Sequence, residues 1–303
     1  MQQSTAARLH KTKAKKLTEL LKKFLPKKFR NKGVTIPVVR LSGVIASGGT
    51  AFQQNLSLAS CSRLLDKAFS DKKTPAVAIL VNSPGGSPVQ SRQIYLRIRQ
   101  LAEEKKKKVH VFVEDVAASG GYMIAVAGDD ITVDPSSIVG SIGVVSASFG
   151  FPKLLEKIGV ERRVYTAGQN KATLDPFKPE KKSDIEHLKS LQLEIHDVFI
   201  EMVKQGRGDR LSDDPNLFTG MFWAGKKGVE LGLVDAIGDI RSSLKERYGK
   251  DTELKLVEAK KGLFGRRQPG VSGSLIGAEF SQQITAGALS AIEERALWSR
   301  FGL

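Results

Sequence analysis

Apolar runs with period two alternate with apolar residues at three- and four-residue steps from Val34 onward, which is the rhythm of strands and helices taking turns. Thr35–Leu41 (TIPVVRL) reads as a first strand, and 56–69 as a helix carrying Leu64, Leu65 and Phe69 on its apolar face. Ala76–Val81 (AVAILV) is apolar throughout, as expected of a strand buried on both faces of a parallel sheet. A second helix is expected from Pro88 to about Lys106, then a strand over VHVFVED and a helix over Gly121–Ala127. Farther on, Ile185, Leu188, Leu191, Ile195, Phe199 and Met202 mark one buried face of a helix over 183–205, ended by Gly206–Gly208. Strand and helix in alternation predict an α/β fold, a parallel sheet with crossover helices.

Two turns interrupt this pattern with chemistry. After the first buried strand comes NSPGGSPVQ, where Gly85 and Gly86 make a tight turn, Ser87 is placed to cap the next helix and Pro88 takes its first position. After the next strand comes AASGGYMIA, where a lone hydroxyl, Ser119, is followed at once by Gly120 and Gly121. A serine at a sharp strand-to-helix turn stands clear of its backbone, and small neighbours leave room for a substrate carbonyl. The competing reading is a Gly-rich turn whose serine only caps its helix. If the two strands are neighbours in one parallel sheet, both turns emerge at its carboxyl edge. Backbone N–H groups of the PGG turn then face the serine as an oxyanion site.

Length and charge narrow the setting. A chain of 303 residues with 41% hydrophobic content accommodates one large α/β domain plus tails: a basic tail over 1–33, a domain over 34–260, and a linker with a C-terminal helix over 261–303. In the last part KKGLFGRRQPGVSG reads as linker and 275–298 as an amphipathic helix with Phe280, Ile284, Ala288 and Ile292 on one face. Of the net charge of +16, ten units lie in residues 1–33, where eleven Lys and Arg face the single acid Glu19. Leu17, Leu20, Leu21, Phe24 and Leu25 recur there at helical spacing, a pattern suited to an anionic membrane surface, with a solvated basic arm as the plainer reading and nucleic acid a distant third. One cysteine, Cys61, excludes an internal disulfide framework. Neither a signal peptide nor a transmembrane stretch is recognisable, so the expected location is membrane-associated or cytoplasmic.

The sequence offers no obvious base. His10 lies in the tail, His110 opens a strand, and His187 and His196 sit on a predicted helix, so none falls in a turn that suggests a triad. A lysine made neutral by its surroundings serves the same purpose, yet with 48 Lys and Arg the spacing alone cannot choose one. No zinc-ligand spacing or phosphate-binding GxxxxGK[ST] run is present, so no metal or cofactor is expected.

In order along the chain, NSPGG, DVAASGGYMIA, GSIGVV, TAGQNKATLDPF and FTGMFWAGKKGVELGLVDAIGDI resemble the signal peptide peptidase A (protease IV) family of serine proteases, over about 36–257. The resemblance implies a Clp-protease/crotonase-like fold and a Ser-Lys dyad. It assigns the nucleophile to Ser119, the base to Lys171 in AGQNK, and the oxyanion donors to Gly85 or Gly86 and Gly120. Only one PGG turn and one SGGY turn occur, so the chain corresponds to the half-length form. That form implies a homo-oligomeric ring whose neighbouring subunits complete each site. The implied substrates are peptides such as signal-peptide remnants or other membrane-associated segments. Gln169 and Asn170 stand where tyrosine is frequent before the lysine. The competing class is a non-catalytic crotonase-like protein that binds acyl-CoA or a peptide. A hydratase of that fold would need carboxylates beside the oxyanion site, and Glu114 and Asp115 are the candidates.

Overall fold

Six parallel strands carry the molecule, because three of them are so apolar that only burial on both faces accommodates them. The computed structural model describes residues 33–50, 53–258 and 294–303. The basic tail, the linker and most of the expected C-terminal helix therefore lie outside the described residues; within them, 294–299 is helical. The strands are β1 (Thr35–Ser42), a small hairpin of β2 (Gly49–Thr50) and β3 (Gln53–Gln54), then β4 (Ala76–Ser83), β5 (Lys108–Ala118), β6 (Asp130–Val133), β7 (Ile138–Gly140), β8 (Phe222–Ala224), β9 (Ala236–Ile237) and β10 (Glu253–Leu256). The parallel order is β10-β1-β4-β5-β6-β9; β7 adds to the far end of β5, and β8 pairs antiparallel with β7. This is the expected α/β architecture.

Helices α1 (Leu58–Ser70), α2 (Pro88–Lys105) and α3 (Gly120–Ala125) follow β3, β4 and β5. Alternate residues divide the sheet between two cores. Val39, Leu41, Ile79, Val81, Val111 and Val113 meet α1, α2 and α3, whereas Ile36, Val38, Ala78 and Phe112 meet Leu244 of α7 (Ile240–Tyr248). The predicted start of α2 is in place, with Ser87 accepting from Gln90 N–H and Pro88 at its first position; Lys106 ends α2 in a left-handed conformation, and Ser57 and Ser60 form a capping box at α1.

Strand β5 runs past the expected end at Glu114. Its register against β4 steps from Val81↔Val113 to Ser83↔Ala117, so β5 bulges between. The Asn82 side chain holds the bulge, donating to Asp115 Oδ2 (2.7 Å) while its Oδ1 accepts from Val116 N–H (3.2 Å). Glu114 is paired with Arg40 at 2.8 Å. Both carboxylates weighed for a hydratase are thus committed to the frame.

Three further helices, α4 (Pro152–Lys157), α5 (Lys182–Arg207) and α6 (Gly225–Glu230), complete the order before α7. Helix α5 matches expectation in extent but not in burial. Phe199, Met202 and Val203 are buried, whereas Leu191 and Ile195 of the same expected face are 42% and 37% exposed. The apolar stripe is real, and only its second half packs against other described residues.

The C-terminal end of α5 is fastened by a buried cation. Arg207, with a side chain 1% exposed, donates two parallel hydrogen bonds to Asp235 (2.8 and 3.0 Å) and a third to the Gly232 carbonyl. Asp235 also accepts from Ile131 N–H at the start of β6. Burial would raise this carboxyl, but the hydrogen bonds and charge of Arg207 and its neighbours outweigh that and hold it below the ordinary range. The stability such a group contributes is complete above the ordinary carboxylate range and is lost as pH falls through the depressed value. Asp235→Ala strands a buried guanidinium, so urea unfolding at neutral pH should show a loss of about 3 kcal/mol, and the gap between variant and wild type should close as the pH is lowered through the acid range. An unchanged unfolding midpoint would show that the clamp is dispensable.

Candidate active site

β4 and β5 are paired neighbours, so the turns that follow them emerge side by side at the carboxyl edge of the sheet. Ser119 sits at the head of α3 with φ 53° and ψ −123°, a conformation that residues with a side chain rarely adopt. Its side chain makes no capping hydrogen bond. The plain capping reading therefore fails, and Oγ is left half-exposed at the mouth of the turn.

The glycines explain how the two turns come so close. A Cβ on Gly85 would stand 2.8 Å from Ser119 Cβ, and one on Gly86 would stand 2.0 Å from the Ile45 carbonyl oxygen. A Cβ on Gly120 would stand 2.3 Å from Ser91 Oγ. Both glycines of the PGG turn also have positive φ, 105° and 140°. The loop is pinned from outside, since Ile45 N–H donates to the Gly85 carbonyl (2.9 Å) and Ser87 N–H to the Ile45 carbonyl (2.7 Å).

The amides at this junction are not equivalent. Gly85 N–H donates to the buried Ser83 Oγ at 3.2 Å. Gly86 N–H and Gly120 N–H donate to no acceptor among the described residues, and the Gly86 nitrogen lies 3.3 Å from the Cβ position on Gly120. Two free donors thus flank the serine. The helix behind it is entirely buried and is tied down by Tyr122, whose hydroxyl donates to the Leu233 carbonyl (2.6 Å) and whose ionisation burial pushes far up.

Ser119 opens into a cleft of about 340 Å³ whose walls include Ser141, Val144, His196, Gly220 and Arg300. Lys171 is not among them. It lies exposed in the turns of 169–174, with its N–H on the Gly168 carbonyl at 3.2 Å. The chain therefore brings Ser119, Gly86 and Gly120 together and holds Lys171 elsewhere. His110, at the opposite end of β5, is buried between Asp130 (2.8 Å) and Tyr248 (2.7 Å), as a strand residue facing a helix. The bulged strand between them separates it from the serine by on the order of 20 Å.

Two wall residues were missed in the sequence. His196 was placed on a helix but not beside the serine; its Nε2 lies 3.0 Å from the Ile142 carbonyl, a bond no local pattern announces. Arg300 lies in a segment whose docking depends on contacts more than 180 positions away in sequence, with Val116 and Ala118. Among the described residues no cluster of His, Cys, Asp and Glu is arranged to hold a metal ion.

The chain is 61% identical over 290 residues to a Brucella abortus protein named Na(+)/H(+) antiporter NhaA, covering 95% of this chain and 39% of that one. It is 32% identical over 216 residues to the chloroplastic serine protease SPPA of Arabidopsis thaliana, covering 69% of this chain and 31% of the relative. The chain thus spans about two fifths or less of the length of these relatives. A solved structure of a membrane-bound stomatin-specific protease in complex with a substrate peptide is 17% identical, with a TM-score of 0.46 over 76% of this chain and 94% of that one. The model of peptidase family S49 matches residues 101–253, half of the chain and a span that includes Ser119 and Gly120, and the protein belongs to peptidase family S49.

Proposed function

We propose that this chain is a serine endopeptidase in which Ser119 attacks a peptide carbonyl and Lys171 of a neighbouring subunit serves as the base. The observation that carries the reading is the Ser119 turn, a strained residue with an uncommitted hydroxyl between two free amides, Gly86 N–H and Gly120 N–H. Those amides are suited to the charge that develops on a carbonyl oxygen during attack. Neutral Lys171 takes the Ser119 proton, the alkoxide forms the acyl-enzyme, and the resulting ammonium returns the proton to the leaving amine. Water then releases the acyl group by the same route.

The substrate class has its own support. Val144 and Val145 line the cleft, and the run 144–150 that continues from them carries neither regular structure nor, among the described residues, any backbone hydrogen bond. A run of unpaired N–H and C=O groups is what an extended peptide pairs with when it adds as a strand.

The shared site is supported by what lies around Lys171. Helix α4 has no buried residue, and Phe149, Ile158, Tyr165 and Leu193 are 79%, 60%, 90% and 63% exposed. Such a surface is what a second copy covers in an obligate assembly, and a head-to-tail arrangement carries it round into a closed ring. Ser119→Ala and Lys171→Ala should each lower peptide turnover by several orders of magnitude while leaving the circular dichroism spectrum unchanged. Co-refolding the two variants should regenerate about a quarter of the sites, because a good serine meets a good lysine wherever the two adjoin in the right order. An inactive mixed oligomer would rule out the shared site, and normal turnover by either variant would remove the dyad. A fluorophosphonate probe that leaves Ser119 of active-size oligomer unmodified would favour the non-catalytic acyl-CoA or peptide-binding reading instead.

A membrane setting is part of the proposal. Residues 1–33 have the charge and leucine stripe of a surface-seeking helix, and the Brucella relative bears the name of a membrane transporter on a chain more than twice as long as the matched segment. No helix among the described residues is long and apolar enough to cross a membrane. Deleting 1–33 should abolish sedimentation with anionic liposomes, and added salt should weaken binding of the full chain. Equal sedimentation of both forms would show the tail to be a solvated arm.

A further inference from the structure

We infer that Arg300 makes the Ser119 cleft selective for peptides bearing a carboxylate close to the bond to be cleaved, an inference that rests on the proposed peptidase activity and names its preferred substrates. The walls of the cleft contain one permanently charged side chain, Arg300, and no Asp or Glu. His196, the other titratable group on them, is held to the Ile142 carbonyl through Nε2. Arg300 itself forms no ion pair or hydrogen bond among the described residues, and its nearest ring, Phe301, lies 5.9 Å from the guanidinium carbon. A guanidinium without an acid among the described residues, beside a nucleophile, is an unfilled fork for a planar anion.

The cation is also held in place. Phe301, the next residue, is 9% exposed and packs with Trp298 against Val116 and Ala118, which lead directly to Ser119, and against Ile138 of β7. Its ring stands edge-on to Phe222 of β8 at a centroid distance of 5.0 Å. Backbone at 300 is therefore fixed to the same two strands that fix the serine and the cleft wall. The long side chain remains free to reach substrate on either side of the bond. A carboxylate of either origin satisfies it: the side chain of an Asp or Glu, or the terminal carboxylate of a short peptide.

The test uses the full-length oligomer and a set of fluorogenic peptides that differ at one group, Glu against Gln at each of three positions on either side of the cleavage site, and free acid against amide at the C-terminus. Wild type should favour the acidic member at one or two positions by about fivefold in kcat/KM, mostly through KM. In Arg300→Gln the acid-to-amide ratio should fall to near one, in Arg300→Lys it should be partly kept, and in Arg300→Glu it should invert in favour of a lysine-bearing peptide. Phe301→Ala, which unseats the segment but keeps the guanidinium, should lower the ratio as well. The position of the effect separates the sources, since only the free-acid pair reports a terminal carboxylate. A ratio near one in wild type, or one that Arg300→Gln leaves unchanged, overturns the inference. Failure of the peptidase reading is told apart by wild type hydrolysing no member of the set. Fluorescence anisotropy on Ser119→Ala then decides the inference alone, equal binding of acidic and amide peptides counting against it.

Discussion

The rest of the site depends on one close approach: the Gly85–Gly86 turn after β4 lies against the Ser119–Gly120 turn after β5, nearer than any side chain larger than hydrogen permits. With a Cβ on Gly85 only 2.8 Å from that of Ser119, neither turn can be altered without moving the other. Parallel pairing of β4 and β5 sets the two ends level, the Asn82-held bulge gives β5 the extra residues it needs to reach them, and the Ile45 bridge presses the glycine turn inward. The positive φ of Ser119 is a strain that only such an over-determined junction sustains. Its consequence is chemical, because the same geometry that strains the serine frees its hydroxyl and leaves two amides without acceptors.

Much of this was legible in the sequence for reasons that can be named. Ala76–Val81 has no polar residue, so burial on both faces was its only stable fate, and a parallel neighbour followed from the helices between. The turns announced themselves through glycines whose φ no other residue tolerates well. What the sequence hid was decided by long-range partners. Whether Gly85 or Gly86 keeps a free amide depends on Ser83 Oγ, which is itself fixed by the Gly43 carbonyl at 2.7 Å, forty positions away. The buried half of α5 looked like the exposed half because periodicity records which residues are apolar, not whether a partner lies within the same chain. His196 and Arg300 escaped for the same reason: a cleft wall assembled from five separate segments has no sequence pattern.

The region from 144 to 198 reads differently from the rest. Its aromatic side chains are organised locally, Phe151 stacking on Phe177 at 5.4 Å and Arg162 lying over Phe177 while paired with Asp175. Yet this order stops at the surface, where Phe149 and Tyr165 face outward. Among the described residues this segment has internal contacts but no buried residue, unlike the sheet, whose two faces are both covered.

This division bears on how the proposed dyad works. A lysine in water carries its proton at neutral pH and has no lone pair to offer a serine, whereas one enclosed by apolar surface and brought beside a cleft loses the solvation that favours its charge. In the proposed arrangement the face that assembly covers is the face that carries Lys171, so the interaction that builds the oligomer also supplies the desolvation a lysine base requires. The serine half needs no such help, since its strain and its amides are set within one subunit by the β4–β5 junction. In that proposed arrangement catalytic competence would belong to the assembled interface, with the serine oriented by one subunit and the base supplied by the next.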